Sequence, residues 1–173
     1  MKLRETIALA HQTLLEAGID HALIGGIALA TLGLNRATAD VDLLIDGANR
    51  DLAIEVLQKK GFNLTLSTKE VLHFDNAGYL DILLANRPMS KAMLDNALLI
   101  KGAKLDIKCV KPEDIIGLKI QAYTNDRSRE LQDKADIKAL FELHSNMDIN
   151  KVKEYAEMFG EWNSIKPLIG KQK

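Results

Sequence analysis

The sequence predicts an α/β protein of the α+β kind: a mixed β-sheet with flanking helices, followed by a small C-terminal helical region. Three observations carry that reading. Short apolar runs of strand character, among them "VDLLID", "VLHF" and "YLDILLA", all fall before residue 111. From "KPED" onward apolar residues recur at helical spacing over 112–125, 129–144 and 150–159. Gly18, Gly61 and Pro112 stand where helices stop or start. Strands gathered ahead of helices favour a sheet with helices packed on it. The expected organisation is a core over 1–111 and a helical region over 112–173 packed on it, one continuous domain overall.

Taken in order, residues 3–17 read as an amphipathic helix on Leu3, Ile7, Ala10 and Leu14, closed by Gly18. "HALIG" is a short strand, and "GIALATLGL" a short helix that begins at a double glycine. "VDLLID" is the next strand, and residues 50–60 form a helix that stops at Gly61. "FNLTLS", "VLHF" and "YLDILLA" are strands. "MLDNALLIKGAKLDIKCV" reads as two strands joined through "KG". Pro112 suits a helix's first position, and Glu113 and Asp114 favour its N-terminal dipole.

Composition narrows the function classes. A hydrophobic fraction of 47% and a charged fraction of 27% are those of a soluble globular chain. A net charge of −1 supplies no global field toward nucleic acid or anionic membrane, so any such contact needs a local patch. Glu5 and His11 interrupt the start where a secretory signal wants an apolar run, and Gly25 and Gly26 break the longest apolar stretch. No membrane association is expected. The single cysteine, Cys109, cannot form an internal disulfide and reads as a small apolar strand residue, consistent with a cytoplasmic location. His73 reads as a strand residue, while His11, His21 and His144 form no metal-ligand spacing.

Chemistry concentrates in "LIGGIALATLGLNRATADVDLLI", residues 23–45. Asp40 and Asp42, two apart on an extended segment, aim their carboxylates to one side. Like charges in a greasy run repel each other and resist desolvation unless a cation sits between them. Two hard oxygen ligands suit Mg²⁺ when substrate phosphates complete its octahedron. An isolated D-x-D serves as readily as a cap followed by a solvent-facing strand residue. Gly25-Gly26, at a strand-to-helix turn, lets a phosphate approach the backbone. Arg36 and Thr38 precede the acids, and a fixed cation beside a metal site can clamp phosphate. Asp81 stands in the middle of another apolar strand as a buried-looking carboxylate with no local partner. On the helix from Pro112, Ile115, Leu118 and Ala122 mark the expected buried stripe; Lys119 falls beside it, and such lysines usually keep the ammonium wet. Arg127 and Arg129 read as a solvated basic turn.

The order Gly-Gly, short helix, D-x-D and a later strand Asp resembles the nucleotidyltransferase superfamily that includes DNA polymerase β. More narrowly, "RATADVDLLI", "PEDIIGLKIQA" and "RELQDKADIKAL" resemble AbiEii-type nucleotidyltransferases, often toxins of toxin–antitoxin pairs. The resemblance spans roughly residues 20–143. It implies a nucleotidyltransferase fold, with Gly25, Gly26, Asp40, Asp42, Lys119 and either Asp133 or Asp136 in the nucleotide and metal site. Asp81 matches the third carboxylate of the wider superfamily and would be a metal ligand and the general base. Gln132 departs from the Lys that usually precedes Asp133 in the last motif. The implied activity is Mg²⁺-dependent (or Mn²⁺-dependent) transfer of a nucleoside monophosphate from an NTP to an acceptor hydroxyl. The acceptor would be an RNA such as a tRNA end, or an aminoglycoside or lincosamide. An antitoxin protein would be the partner in the toxin branch. The competing class is a non-catalytic nucleotide-binding or partner-binding module on the same fold.

Overall fold

The computed structural model describes residues 3–102 and 105–170. The chain divides into two compact units, Met1–Leu29 with Arg36–Val110, and Ala30–Asn35 with Lys111–Lys173.

The first unit is built on a mixed sheet. Its helices are α1 (Leu3–Glu16), the start of α2 (Gly25–Thr31), α3 (Arg50–Lys59) and α4 (Pro88–Asp95). Its strands are β1 (His21–Leu23), β2 (Val41–Asp46), β3 (Asn63–Ser67), β4 (Val71–Asp75), β5 (Leu80–Ala85), β6 (Leu98–Ile100) and β7 (Ile107–Cys109), in the order β3-β4-β5-β2-β1-β7-β6. β2 and β5 are parallel neighbours at the middle, in register from Val41↔Leu80 to Asp46↔Ala85. Val41, Leu43, Ile45, Leu80, Ile82 and Leu84 are buried, and each such side chain contributes about 1.5–3 kcal/mol of transfer free energy. Side chains point to alternate faces along a strand, so Asp42 and Asp81 lie on the face opposite these residues, half-exposed. Ala10 and Leu14 of α1, Ala53 and Leu57 of α3, and the edge-to-face pair Phe62–Phe74, 6.3 Å between centroids, belong to the same core.

One expected strand is corrected. "MLD" of "MLDNALLI" closes α4 rather than opening a strand, and only Leu98–Ile100 pairs with β7. Pro88 takes the helix's first position, Ser90 and Arg87 exchange bonds at its start, and the consecutive Met93 and Leu94 are both buried on the last turn, which is not an alternating pattern. Ala103 and Lys104 of the expected β6–β7 turn lie outside the described residues. Cys109 is buried in β7, and burial pushes its thiol up to about 12, so it stays protonated as a small core residue.

The second unit holds α5 (Pro112–Asn125), α6 (Glu130–Leu143), α7 (Ile149–Met158) and α8 (Trp162–Ile165). Ile116, Ile120, Tyr123, Ile137, Leu140, Val152, Ala156 and Ile165 are buried. The expected buried stripe of α5 is corrected as well: Leu118 and Ala122 are only half-buried, while Ile115, Ile116, Lys119, Ile120 and Tyr123 are buried. α7 causes the shift. Its Tyr155 ring lies against Gly117, where a β-carbon would come within 2.8 Å, and its hydroxyl donates to the buried Asp114 at 2.5 Å. Among the described residues no helix is long and apolar enough to cross a membrane.

Candidate active site

β1 ends at Leu23 and α2 begins at Gly25 with φ +63, left-handed backbone that glycine adopts without strain. A β-carbon there would stand 2.1 Å from Oδ2 of Asp42, and one on Gly26 would stand 2.6 Å from Cβ of Thr38. Both glycines are therefore required by close approach, at Gly25 by conformation too. This turn brings Gly25, Gly26, Thr38 and Asp42 together. Asp40 occupies the exposed bend just before β2, and Thr38 donates to its carbonyl at 3.3 Å. Arg36 lies in the exposed loop ahead of it.

Asp42 and Asp81 are register partners across β2–β5, so they stand side by side on one face. Asp81 is in turn directly opposite His73 on antiparallel β4, whose Nδ1 donates to its Oδ1 at 2.6 Å. The sheet thus carries the row Asp42–Asp81–His73 across three adjacent strands. The expectation that Asp81 is buried without a partner is corrected: its side chain is 35% exposed and the histidine bonds it. Sequence reasoning missed His73. The signal was the tight connection Asn76–Tyr79, where Asn76 and Gly78 take positive φ and set a β4–β5 register that places His73 opposite Asp81. Further along the same face Asp46 pairs with Lys91 of α4 at 3.1 Å.

Among the described residues no group of three or more His, Cys, Asp or Glu side chains is arranged to hold a metal ion. Asp40 and Asp42 nonetheless have the chemistry Mg²⁺ uses when water and substrate phosphates supply its other ligands, a set that needs only one or two carboxylates.

In the second unit Lys119 donates to Asp133 Oδ1 at 2.8 Å and to Asp136 Oδ2 at 2.6 Å. Arg129 Nε reaches Asp133 Oδ2 at 3.2 Å, and Gln132 donates to Asp136 Oδ1 at 3.1 Å. Both acids of the last motif are engaged, one turn apart on α6, and Gln132 supports Asp136. The four charges sum to zero. Arg127, read from the sequence as solvated, bonds Glu161 at 2.7 Å.

The fold and the comparisons meet at this point. The antibiotic-resistance factor ANT(2'')-Ia in complex with adenylyl-2''-tobramycin superimposes with a TM-score of 0.68 at 16% identity, over 89% of this chain and 94% of that one. An antigenic nucleotidyltransferase-like protein from Paracoccidioides brasiliensis gives 0.60 at 18% identity, over 100% and 95%. The lincosamide antibiotic adenylyltransferase LnuA, bound to lincomycin, gives 0.55 at 16% identity, over 80% and 96%. Comparison with curated protein sequences found no match. The mixed sheet and its flanking helices are those of the nucleotidyltransferase fold. Residues 84–169 match the family described as "Nucleotidyl transferase of unknown function (DUF2204)", a span that includes Lys119, Asp133 and Asp136 and begins after Asp81.

Proposed function

We propose that the protein transfers a nucleoside monophosphate from an NTP to an acceptor hydroxyl, using Mg²⁺ or Mn²⁺ at Asp40 and Asp42 and Asp81 as the base. The observation that carries this reading is the pairing of Asp42 with Asp81 across β2–β5 while the Gly25 backbone seats against Asp42. A sheet gains no stability from neighbouring carboxylates on one face, since each makes the other harder to ionise.

The chain's own residues divide the work. The Gly25–Gly26 turn, with no side chains, lets the triphosphate lie close to the backbone. Arg36 and Thr38, in the segment that leads to Asp40, clamp phosphate oxygens. Asp40 and Asp42 hold the divalent ion, which when bound offsets the charge of the phosphates and of the carboxylates themselves. Asp81 takes the proton of the acceptor hydroxyl as its O–H bond breaks. The acceptor oxygen forms a bond to the α-phosphorus, the α–β P–O bond breaks, and pyrophosphate leaves with the electron pair. The family resemblance places Lys119, with either Asp133 or Asp136, in the nucleotide and metal site. The lysine's neutral, buried cluster supports a different share, fixing α5 to α6.

For the acceptor we favour a hydroxyl-bearing small molecule. The net charge of −1 provides no broad field for RNA, and the likeness to ANT(2'')-Ia, solved with an adenylylated antibiotic, extends over most of both chains. An RNA end, with an antitoxin as partner, is the reading of the AbiEii-type resemblance. The test incubates the protein with Mg²⁺ and each α-³²P-labelled NTP, with tobramycin, lincomycin or total tRNA. Label on a small molecule supports the favoured acceptor; label on tRNA supports the toxin reading. Tight NTP binding with no transfer to any acceptor, and no effect of Asp81→Asn, would establish the non-catalytic module instead.

A further inference from the structure

We propose that His73 is a positioning residue for Asp81, pinning one carboxylate oxygen so that the other alone faces the acceptor. The proposal rests on the transferase reading above, in which Asp81 is the base, and on geometry that is independent of it. A carboxylate oxygen only accepts, so the 2.6 Å contact between His73 Nδ1 and Asp81 Oδ1 requires the hydrogen on Nδ1. The two residues are direct partners on β4 and β5, where opposed side chains stand within reach and cannot separate without breaking the ladder.

An aspartate needs that restraint. Its terminal torsion is broad and two-fold, so a strand position fixes where the carboxylate is and not how it is turned. Asp81 is 35% exposed on its side chain. Asp42 stands on its other side across β2–β5. Without the imidazole, Asp81 is free to turn either oxygen toward the ion at Asp42 or toward the acceptor. With Oδ1 bonded to His73, Oδ2 is the oxygen left to receive the acceptor's proton. Nδ1–H also fixes the tautomer and leaves Nε2 without a hydrogen in the neutral ring.

The test has two arms. In the first, ¹⁵N NMR of the imidazoles identifies the His73 tautomer in the wild type and in Asp81→Asn. The expected result is Nδ1–H in the wild type with a shift of the Nδ1 signal in the variant. An Nε2–H ring, or a signal indifferent to Asp81→Asn, overturns the proposal even if no acceptor is labelled. In the second, kcat and KM for the NTP are measured with α-labelled NTPs and tobramycin, lincomycin or total tRNA. His73→Leu should lower kcat about 10–100-fold, the scale for losing a residue that orients a functional ligand, with KM for the NTP within about twofold. His73→Asn, which returns an N–H near the place of Nδ1, should recover most of the loss. Full kcat in His73→Leu while Asp81→Asn has lost a hundredfold overturns the positioning role and leaves the transferase reading standing. Full activity in both removes Asp81 as the base, which is failure of that reading rather than of the contact. If His73→Leu does not fold, His73→Asn and the NMR arm decide.

Discussion

The two units hold their acids in opposite ways. In the second, Asp133 and Asp136 are buried and share one ammonium, with a guanidinium beside Asp133 and an amide beside Asp136. In the first, Asp42 and Asp81 stand next to each other, half-exposed, and the residue bonded to the far side of Asp81 is an imidazole. Charge that the chain neutralises within itself serves the fold, because an uncompensated buried ion is too costly to keep. Carboxylates gathered where water reaches them serve something that arrives from outside. Under the proposed function, Lys119 and its partners serve structure and the sheet row serves chemistry.

The largest expected effect is on the structural side. Lys119→Ala leaves two buried carboxylates without the ammonium they share and should cost about 3–5 kcal/mol in urea unfolding. Adding Asp133→Asn and Asp136→Asn should recover much of it. Any loss of NTP affinity that is equal for triphosphate and monophosphate would likewise separate Lys119 from the phosphate tail. A Lys119→Ala protein of wild-type stability would break the comparison at once.

Gly25→Ala sharpens it on the other side. The variant puts a β-carbon at φ +63 and into the Asp42 carboxylate, so about 1–2 kcal/mol of strain should come with loss of nucleotide binding. Gly18→Ala is the control, since Gly18 has φ +69 and nothing within 4 Å of its β-carbon. It should lose similar stability and bind nucleotide normally.

A smaller effect concerns pH. Burial, and for His11 the neighbouring His21 as well, lowers both imidazoles below the ordinary value of 6.5; they meet at 2.8 Å through His11 Nδ1 and His21 Nε2. His21 Nδ1 also donates to the Ile19 carbonyl at 2.8 Å, which makes His11 the donor between the rings. Well above pH 6.5 both rings are neutral folded and unfolded, and they impose no dependence. Below it the unfolded chain takes up protons that the folded one refuses, so stability falls as pH drops. Thermal melts from pH 7.5 to 5 should show a decline that His11→Gln reduces; an unchanged slope would place the dependence elsewhere.

Much of the sheet was legible because β2 and β5 are short, mostly buried apolar runs and β4 alternates. The Gly-Gly turn and D-x-D were each legible as local motifs, and antiparallel pairing of β1 with β2 brings Gly25 near Asp42. α4 was missed where Pro88 and the Arg87–Ser90 exchange, rather than apolar alternation, decide the backbone. The burial of Lys119 was not legible because the stripe of α5 is set by where Tyr155 packs, which no spacing within α5 reveals. The His73–Asp81 and His11–His21 contacts depend on strand register and on the α1–β1 connection, and these lie beyond short-range pattern.

The most direct test of the central claim is the melting temperature with Mg²⁺ and a nonhydrolysable ATP analogue, for the wild type and Asp40→Ala. Saturation near 100 times Kd should stabilise the wild type by about 2.7 kcal/mol, a rise of roughly 5–10 °C for a chain of this size. Asp40→Ala should melt at or slightly above the wild type without ligand, since a like charge has gone, and should gain nothing from Mg²⁺ and nucleotide. A variant that unfolds without ligand, or one that keeps the full rise, would show that Asp40 does not serve a metal–nucleotide site.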